Sequence, residues 1–160
     1  MIKILFLCDT NTTLSPLAKA MLKKTISDLE PSIRIEVDTA GTHAGKTVRP
    51  ASSEIKRIAK SLGLDISEHR SLQASPGELS NYRFILAMNE ENFWFARNQV
   101  PKDSSTRVQL LSEFSNDYSR RDIPDPLLGE IEYQDITKIL EKYLTHFAKH
   151  LSDQVKAGIL

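Results

Sequence analysis

Two kinds of apolar pattern alternate along the chain. Runs rich in β-branched and aromatic residues occur at Ile2–Leu7, Ile33–Thr39, Arg83–Met88 and Val108–Leu111, and they read as strands. Between them apolar residues recur at helical spacing. One set is Leu17, Ala18, Met21, Leu22, Ile26 and Leu29, and a second is Ile55, Ile58, Ala59 and Leu62. A third pattern covers about Asn89–Gln99. The last and longest begins near Tyr133 and runs through Ile136, Ile139, Leu140, Tyr143, Leu144, Phe147 and Leu151. Gly63 is placed to stop the second helix in the left-handed conformation. Strands that are mostly continuous in apolar residues and alternate with helices predict a parallel sheet covered on both faces. The expected fold class is α/β, a single doubly wound domain over residues 1–160 with a central parallel four-stranded sheet flanked by helices. In such sheets ligands collect beyond the carboxyl ends of the strands, beside the helix N-termini that follow. Residues 8–15 occupy the first of these turns.

Composition narrows the function. The chain has 160 residues, 40% of them apolar, enough for one substantial core. Its formal net charge is zero, so no long-range field recruits nucleic acid or an anionic membrane. The paired charges Lys23-Lys24 and Arg120-Arg121 read as solvated faces. No apolar run approaches the ~20 residues of a membrane helix. The N-terminal segment reads as a buried strand, because it lacks a signal-peptide apolar region and a small-residue cleavage site. A single cysteine excludes an intramolecular disulfide, and a cytoplasmic location is expected.

That cysteine, Cys8, ends the first strand and is followed by Asp9, Thr10, Asn11, Thr12, Thr13, Leu14, Ser15 and Pro16. Ser15 suits an N-cap and Pro16 the first helical position. Loop amides and the helix N-terminus would then form a concave anion site and lower the Cys8 pKa toward the thiolate, with the Ser15 hydroxyl donating to the sulfur. A buried structural cysteine is the plain alternative. A second constellation, Asp122-Ile-Pro-Asp-Pro-Leu-Leu-Gly129, holds Asp125 between two prolines just before the last long helix.

The first segment resembles the phosphate-binding loop of low-molecular-weight protein tyrosine phosphatases, whose pattern runs Cys-x-Gly-Asn-x-Cys-Arg-Ser-Pro. Cys8, Asn11, Ser15 and Pro16 match it. Asp122–Gly129 resembles that family's Asp-Pro loop. Further matches cover most of the chain: Asp38-Thr39-Ala40-Gly41-Thr42, Leu64–Ser71 ending in His69-Arg70-Ser71, and Ile85–Asn92. The resemblance implies phosphomonoester hydrolysis without a metal or other cofactor. Cys8 would attack phosphorus to form a phosphocysteine. Asp125 would protonate the leaving group and then activate water. Residues Asp9 to Ser15 would cradle the anion.

The departures carry equal weight. Leu14 replaces the loop arginine, whose bidentate charge stabilises the transferring phosphoryl group. By analogy with a lost arginine finger, the deficit is roughly 10³–10⁵ in rate. Thr10 replaces a glycine and is expected to strain the loop if its φ must be positive. Asp9 adds a carboxylate unless it turns to solvent. Thr13 replaces a second cysteine, which removes any local disulfide and argues against an arsenate-reductase relay. Leu127 and Leu128 replace the tyrosines often found after Asp-Pro, and Asn89 replaces an acid. The segment from Thr42 to Arg49 is shortened and has no aromatic residue. Lys19, Lys46, Arg49 and Arg70 are candidates to supply the missing charge.

Other residues receive plainer readings. His43 reads as a solvated loop residue and His69 as the holder of a turn or helix cap. His146 and His150 share a helix face, but without a His-Glu-x-x-His arrangement they read as a solvated or partner-facing stripe rather than a metal site. Phe93, Trp94 and Phe95 are consecutive, so they cannot all face one core. They form either a homodimer or partner contact or a wide groove packed on two sides. The expected partner is a phosphorylated protein or a small anionic ligand. Three functions stay open: a strongly impaired phosphatase, a working phosphatase with a cation from an unusual position, and a catalytically inactive anion-binding, phosphoprotein-binding or protein-interaction module.

Overall fold

The structure is a computed structural model and describes residues 1–115 and 121–160. Arg120, half of one expected charge pair, lies outside the described residues. Strands β1 (Ile2–Cys8), β2 (Ile35–Gly41), β3 (Phe84–Ala87) and β4 (Arg107–Leu110) alternate with helices α1 (Leu14–Leu29), α2 (Ser53–Ser61), α3 (Glu90–Gln99) and α4 (Ile136–Lys156). The sheet has four parallel strands in the order β2-β1-β3-β4. The chain leaves β1 toward β2 and later returns to its other side as β3, so the carboxyl end of β1 is the topological switch point. Cys8 is the last residue of that strand.

The period of two along β1 divides the core. Ile4, Phe6 and Cys8 face one layer with α1, α2 and α4, while Leu5 and Leu7 face the other with α3. From Ile4 to Cys8 the strand is buried on both faces, which is why its sequence reads there as an unbroken apolar run. Gly63 adopts φ 74° just beyond α2, and its N–H bonds Lys60 O at 3.0 Å, as the helix stop requires. Asn89 caps α3 by accepting from Asn92 N at 2.8 Å.

The start of α1 differs from expectation. The helix begins at Leu14, so Ser15 sits inside its first turn and caps nothing, and Thr13 at the cap position makes no side-chain capping bond. Pro16 is tolerated there because first-turn N–H groups lack intrahelical partners anyway. Of the three aromatics on α3, Trp94 is 52% exposed, Phe93 is half-buried, and Phe95 packs on the β1–β3 layer.

His150 is not part of a solvated stripe. Its ring lies 5.2 Å from the Phe114 ring and 6.1 Å from that of Phe84, and its Nε2 is buried without a partner. Burial pushes its pKa below the ordinary 6.5, Arg107 acts the same way, and Asp153 opposes them. His69 is lowered too, mainly by burial. The unfolded chain therefore takes up protons before the fold does. Stability is expected to fall as pH drops through 6.5 toward the lowered folded values. Urea denaturation at pH 7.5 and 5.5 checks this, and His150→Phe, which keeps the ring and removes the charge, is expected to lose less stability over that interval.

Candidate active site

Cys8 lies almost fully buried at the end of β1, inside the loop that leads to α1. The Ser15 hydroxyl is 2.9 Å from its sulfur, and Asn11 N–H donates to the sulfur at 3.3 Å. Ser15 Oγ accepts Asn11 Nδ2–H at 2.8 Å, so its own proton is free to point at Cys8. The loop therefore presents donors to sulfur, as a thiolate needs. Even so, the Cys8 pKa is held above its ordinary 9.0. Burial is the chief cause, the charge on Asp125 adds to it, and the hydrogen bonds only partly offset both. This corrects the expectation of a lowered pKa: amides and a helix end do not compensate desolvation when no full positive charge stands beside the sulfur.

Asn11 organises the loop. It is completely buried and is the one residue other than glycine with positive φ, 59°, among the described residues. Its Oδ1 accepts from Leu72 N at 2.8 Å, and its carbonyl accepts His69 Nε2–H at 2.6 Å. His69 thus clamps the loop directly, which sequence alone did not reveal because the two residues lie far apart in the chain. Thr10, where strain was expected, is not in the left-handed region, and its hydroxyl bonds that of Thr12 at 2.8 Å. Thr12 O accepts from Ser52 N at the start of α2. Gly41 at the end of β2 backs the loop closely, since a Cβ there would stand 2.6 Å from Asp9 O and 3.1 Å from Asn11 N. That approach accounts for the glycine in the Asp38–Thr42 segment.

Asp9 turns inward. Its Oδ1 accepts from Asn92 Nδ2 at 2.8 Å and from Asn89 Nδ2 at 3.2 Å, so α3 anchors it beside Cys8. The Asp122–Gly129 segment arrives by a different route. Ile123 N bonds Met88 O at 2.8 Å, and Asp122 Oδ1 takes Glu90 N at 2.9 Å, which pins the segment to the end of β3 and the start of α3. Asp125 then faces the same hollow as Cys8 and accepts from Leu127 N at 2.9 Å. Its carboxyl is raised above the ordinary 3.8, first by burial and then by the charges of Asp9 and Glu130, against the Leu127 bond.

The hollow has a volume of about 30 Å³. Leu14, 3% exposed, forms part of its wall at the place where an arginine was expected. The candidate substitutes Lys19, Lys46, Arg49 and Arg70 do not line it; Lys19 borders a separate groove beside His69, and Arg70 Nη1 bonds Ser67 O and His69 O. Thr13 is buried with its hydroxyl unpartnered. His43 bridges Thr42 Oγ1 at 3.1 Å and Glu91 Oε1 at 3.4 Å. Among the described residues no group of three or more His, Cys, Asp or Glu could hold a metal ion, and no helix is long and apolar enough to cross a membrane.

A buried cysteine at the switch point, a Ser–Asn loop folded around it, and an Asp between prolines facing it form one arrangement. Residues 3–157 match the family described as "Low molecular weight phosphotyrosine protein phosphatase". The chain belongs to that family. The low-molecular-weight protein-tyrosine-phosphatase YfkJ of Bacillus subtilis is 25% identical over 126 residues, covering 79% of this chain and 81% of that protein. The protein tyrosine phosphatase of Entamoeba histolytica superposes with TM-score 0.83 at 25% identity, over 100% of both chains. The YwlE arginine phosphatase of Geobacillus stearothermophilus superposes with TM-score 0.79 at 30% identity, over 98% of this chain and 97% of that one. The low-molecular-weight phosphatase fold expected from sequence is thereby established.

Proposed function

We propose that this chain is a low-molecular-weight phosphatase family protein in which phosphomonoester hydrolysis is strongly impaired. The observation that carries the reading is Leu14, buried in the wall of the hollow over Cys8. In the family's reaction the thiolate attacks phosphorus while the carboxylic acid gives its proton to the departing oxygen. Water then cleaves the phosphorus–sulfur bond, its proton passing to the carboxylate. These roles are supported by Cys8 and Asp125 lining one hollow, and a raised Asp125 pKa suits an acid that must hold its proton. The obstacle is charge. A phosphoryl dianion would meet Asp9, Asp125 and Glu130 with no lining arginine, lysine or histidine among the described residues. Relatives named as tyrosine phosphatases and as an arginine phosphatase share a phosphoryl substrate, which the hollow opposes whatever carries it.

Steady-state hydrolysis of p-nitrophenyl phosphate near pH 6, wild type against Cys8→Ser, tests the reading. Wild-type turnover is expected to lie within about tenfold of the Cys8→Ser background. Rapid turnover that disappears in Cys8→Ser overturns it. A second reading, a protein-interaction module on the same scaffold, is supported by the exposure of Trp94, Leu127 and Leu128.

A further inference from the structure

We propose that the face built by α1, α2 and the segment 64–69 docks an acidic peptide that carries apolar side chains between its carboxylates. Binding there stands apart from turnover at Cys8, because neither of the two grooves on this face shares a lining residue with the hollow.

The grooves are open and lie on either side of Asp65 and Ile66, which line both. One, of about 300 Å³, runs along α1 with Lys19, Lys23 and His69 in its lining. The other, of about 400 Å³, runs along α2 with Lys56 and Lys60. Apolar groups complete them: Pro16 and Ala20 in the first, Leu64 in the second, and Ile66 in each. A single extended chain crossing the segment reaches both grooves.

The charge is one-sided and unspent. Lys19 and Lys23 stand about one turn apart on α1, and Lys56 and Lys60 about one turn apart on α2, so each pair shares a helix face. Among the described residues none of these four lysines forms an ion pair, whereas Lys3, Lys24, Lys149 and Lys156 are matched by Glu36, Asp28, Asp153 and Glu30. Of the sequence pair Lys23-Lys24, only Lys24 is neutralised on its own helix. The two acids in the linings do not balance the lysines. Asp65 accepts from Ser67 N at 2.9 Å, and Glu68 is ion-paired to none of them. On a chain of zero formal net charge this is a local positive field over apolar surface, complementary to carboxylates.

The linings also select among anions. No arginine lines either groove, so the two-pronged grip that favours phosphate is missing. No Phe, Tyr or Trp lines them, which leaves nucleic-acid bases without a stacking platform; the His69 ring is held by its bond to Asn11 O. The apolar groups between the lysine heads offer nothing to a polyphosphate. They bury leucine-like side chains, and the lysine stems extend that surface.

Fluorescence anisotropy tests this with a fluorescein-labelled peptide of Glu-Leu-Glu repeats at pH 7 and about 0.1 M salt. Saturable binding is expected, weakened at least about tenfold in Lys19→Glu/Lys56→Glu. Lys102→Glu/Lys138→Glu makes the same change in net charge at exposed lysines outside both grooves and is expected to bind as wild type does. ¹H–¹⁵N spectra report that the variants stay folded and are expected to show peptide-induced shifts at Ala20, Leu64 and Ile66. No saturable binding overturns the proposal, and so does equal weakening in the two double variants, which would mean attraction by net charge alone. Shifts clustered around Cys8 overturn it by placing the peptide in the hollow. Equal or tighter binding of a Glu-Gln-Glu repeat, sodium tripolyphosphate or oligo(dT) overturns it as well, because the apolar surface would then select nothing.

Discussion

Leu14→Arg is expected to raise kcat/KM for p-nitrophenyl phosphate by roughly 10³-fold, the lower end of what a supplied arginine contributes to phosphoryl transfer. Leu14 is the first residue of α1 and borders the hollow shared by Cys8 and Asp125. A guanidinium there would grip two phosphoryl oxygens and balance the charge that spreads over them in the transition state. The same charge would also draw the Cys8 thiol toward thiolate, removing the second handicap. The rest of the cradle needs no repair, since Ser15 and Asn11 already contact the sulfur and Thr10 sits without strain. Asp9 is a competitor, because it is one of the acids that line the same hollow and would pair with the new arginine. A folded Leu14→Arg that gains less than about tenfold would contradict the charge argument. A further rise on adding Asp9→Asn would show that the ion pair had masked the gain.

Asn11→Ala is expected to cost about 3–5 kcal/mol of stability, measured by urea denaturation. The part-buried Leu72 N–H would lose its acceptor at about 1–3 kcal/mol, and Ser15 Oγ, still bonded to the Cys8 sulfur, would lose one of its two bonds at about 0.5–1.5 kcal/mol. Alanine at a φ of 59° adds backbone strain that asparagine tolerates better. Asn11→Gly separates the two contributions, because it keeps the backbone conformation and removes the side chain. It should recover only the strain component, so a glycine variant as stable as wild type would mean that the side-chain bonds contribute nothing. A loss below about 1 kcal/mol in the alanine variant would mean that the loop is held by its backbone contacts alone.

The fold was legible where burial imposes a period. The run Ile2–Leu7 reads as a strand because β1 is covered on both faces from Ile4 onward, and α4 reads as a stripe because one face of it is covered. Gly63 was readable as a helix stop because that function depends on one residue's own chemistry, whereas the capping role of Asn89 emerged only in the structure. Strand ends shifted by a residue or two, as at β2, where the apolar run starts at Ile33 but pairing starts at Ile35. The site was legible in its parts. Cys8, Ser15 and Asp125 were visible as a nucleophile-like sulfur, a hydroxyl and a stiffened acid, and Leu14 as the break in the pattern.

Several features were readable only in three dimensions, each for a physical reason. The Cys8 pKa is the difference between desolvation and hydrogen bonding, and neither is known before the loop is buried. Ser15 looked like a helix cap because serine is good at capping, yet its hydroxyl went to the sulfur and to Asn11 instead. His150 looked like half of a helical stripe until Phe84 and Phe114, from other elements, closed around it. Asp9 was free to face solvent until α3 brought Asn89 and Asn92 within reach of its carboxylate.

By itself, then, the sequence determined what depends on neighbours along the chain: the strand and helix order, the switch point at Cys8, and the lost charge at residue 14. Tertiary structure decided what depends on neighbours across it: the His69 clamp on Asn11, the acidic wall around the hollow, and the unpartnered oxygen of Asn92. Periodicity encodes burial, a one-body property of each position. Hydrogen-bond partners and electrostatic sign are pairwise, and for residues far apart in sequence they exist only once the chain has folded.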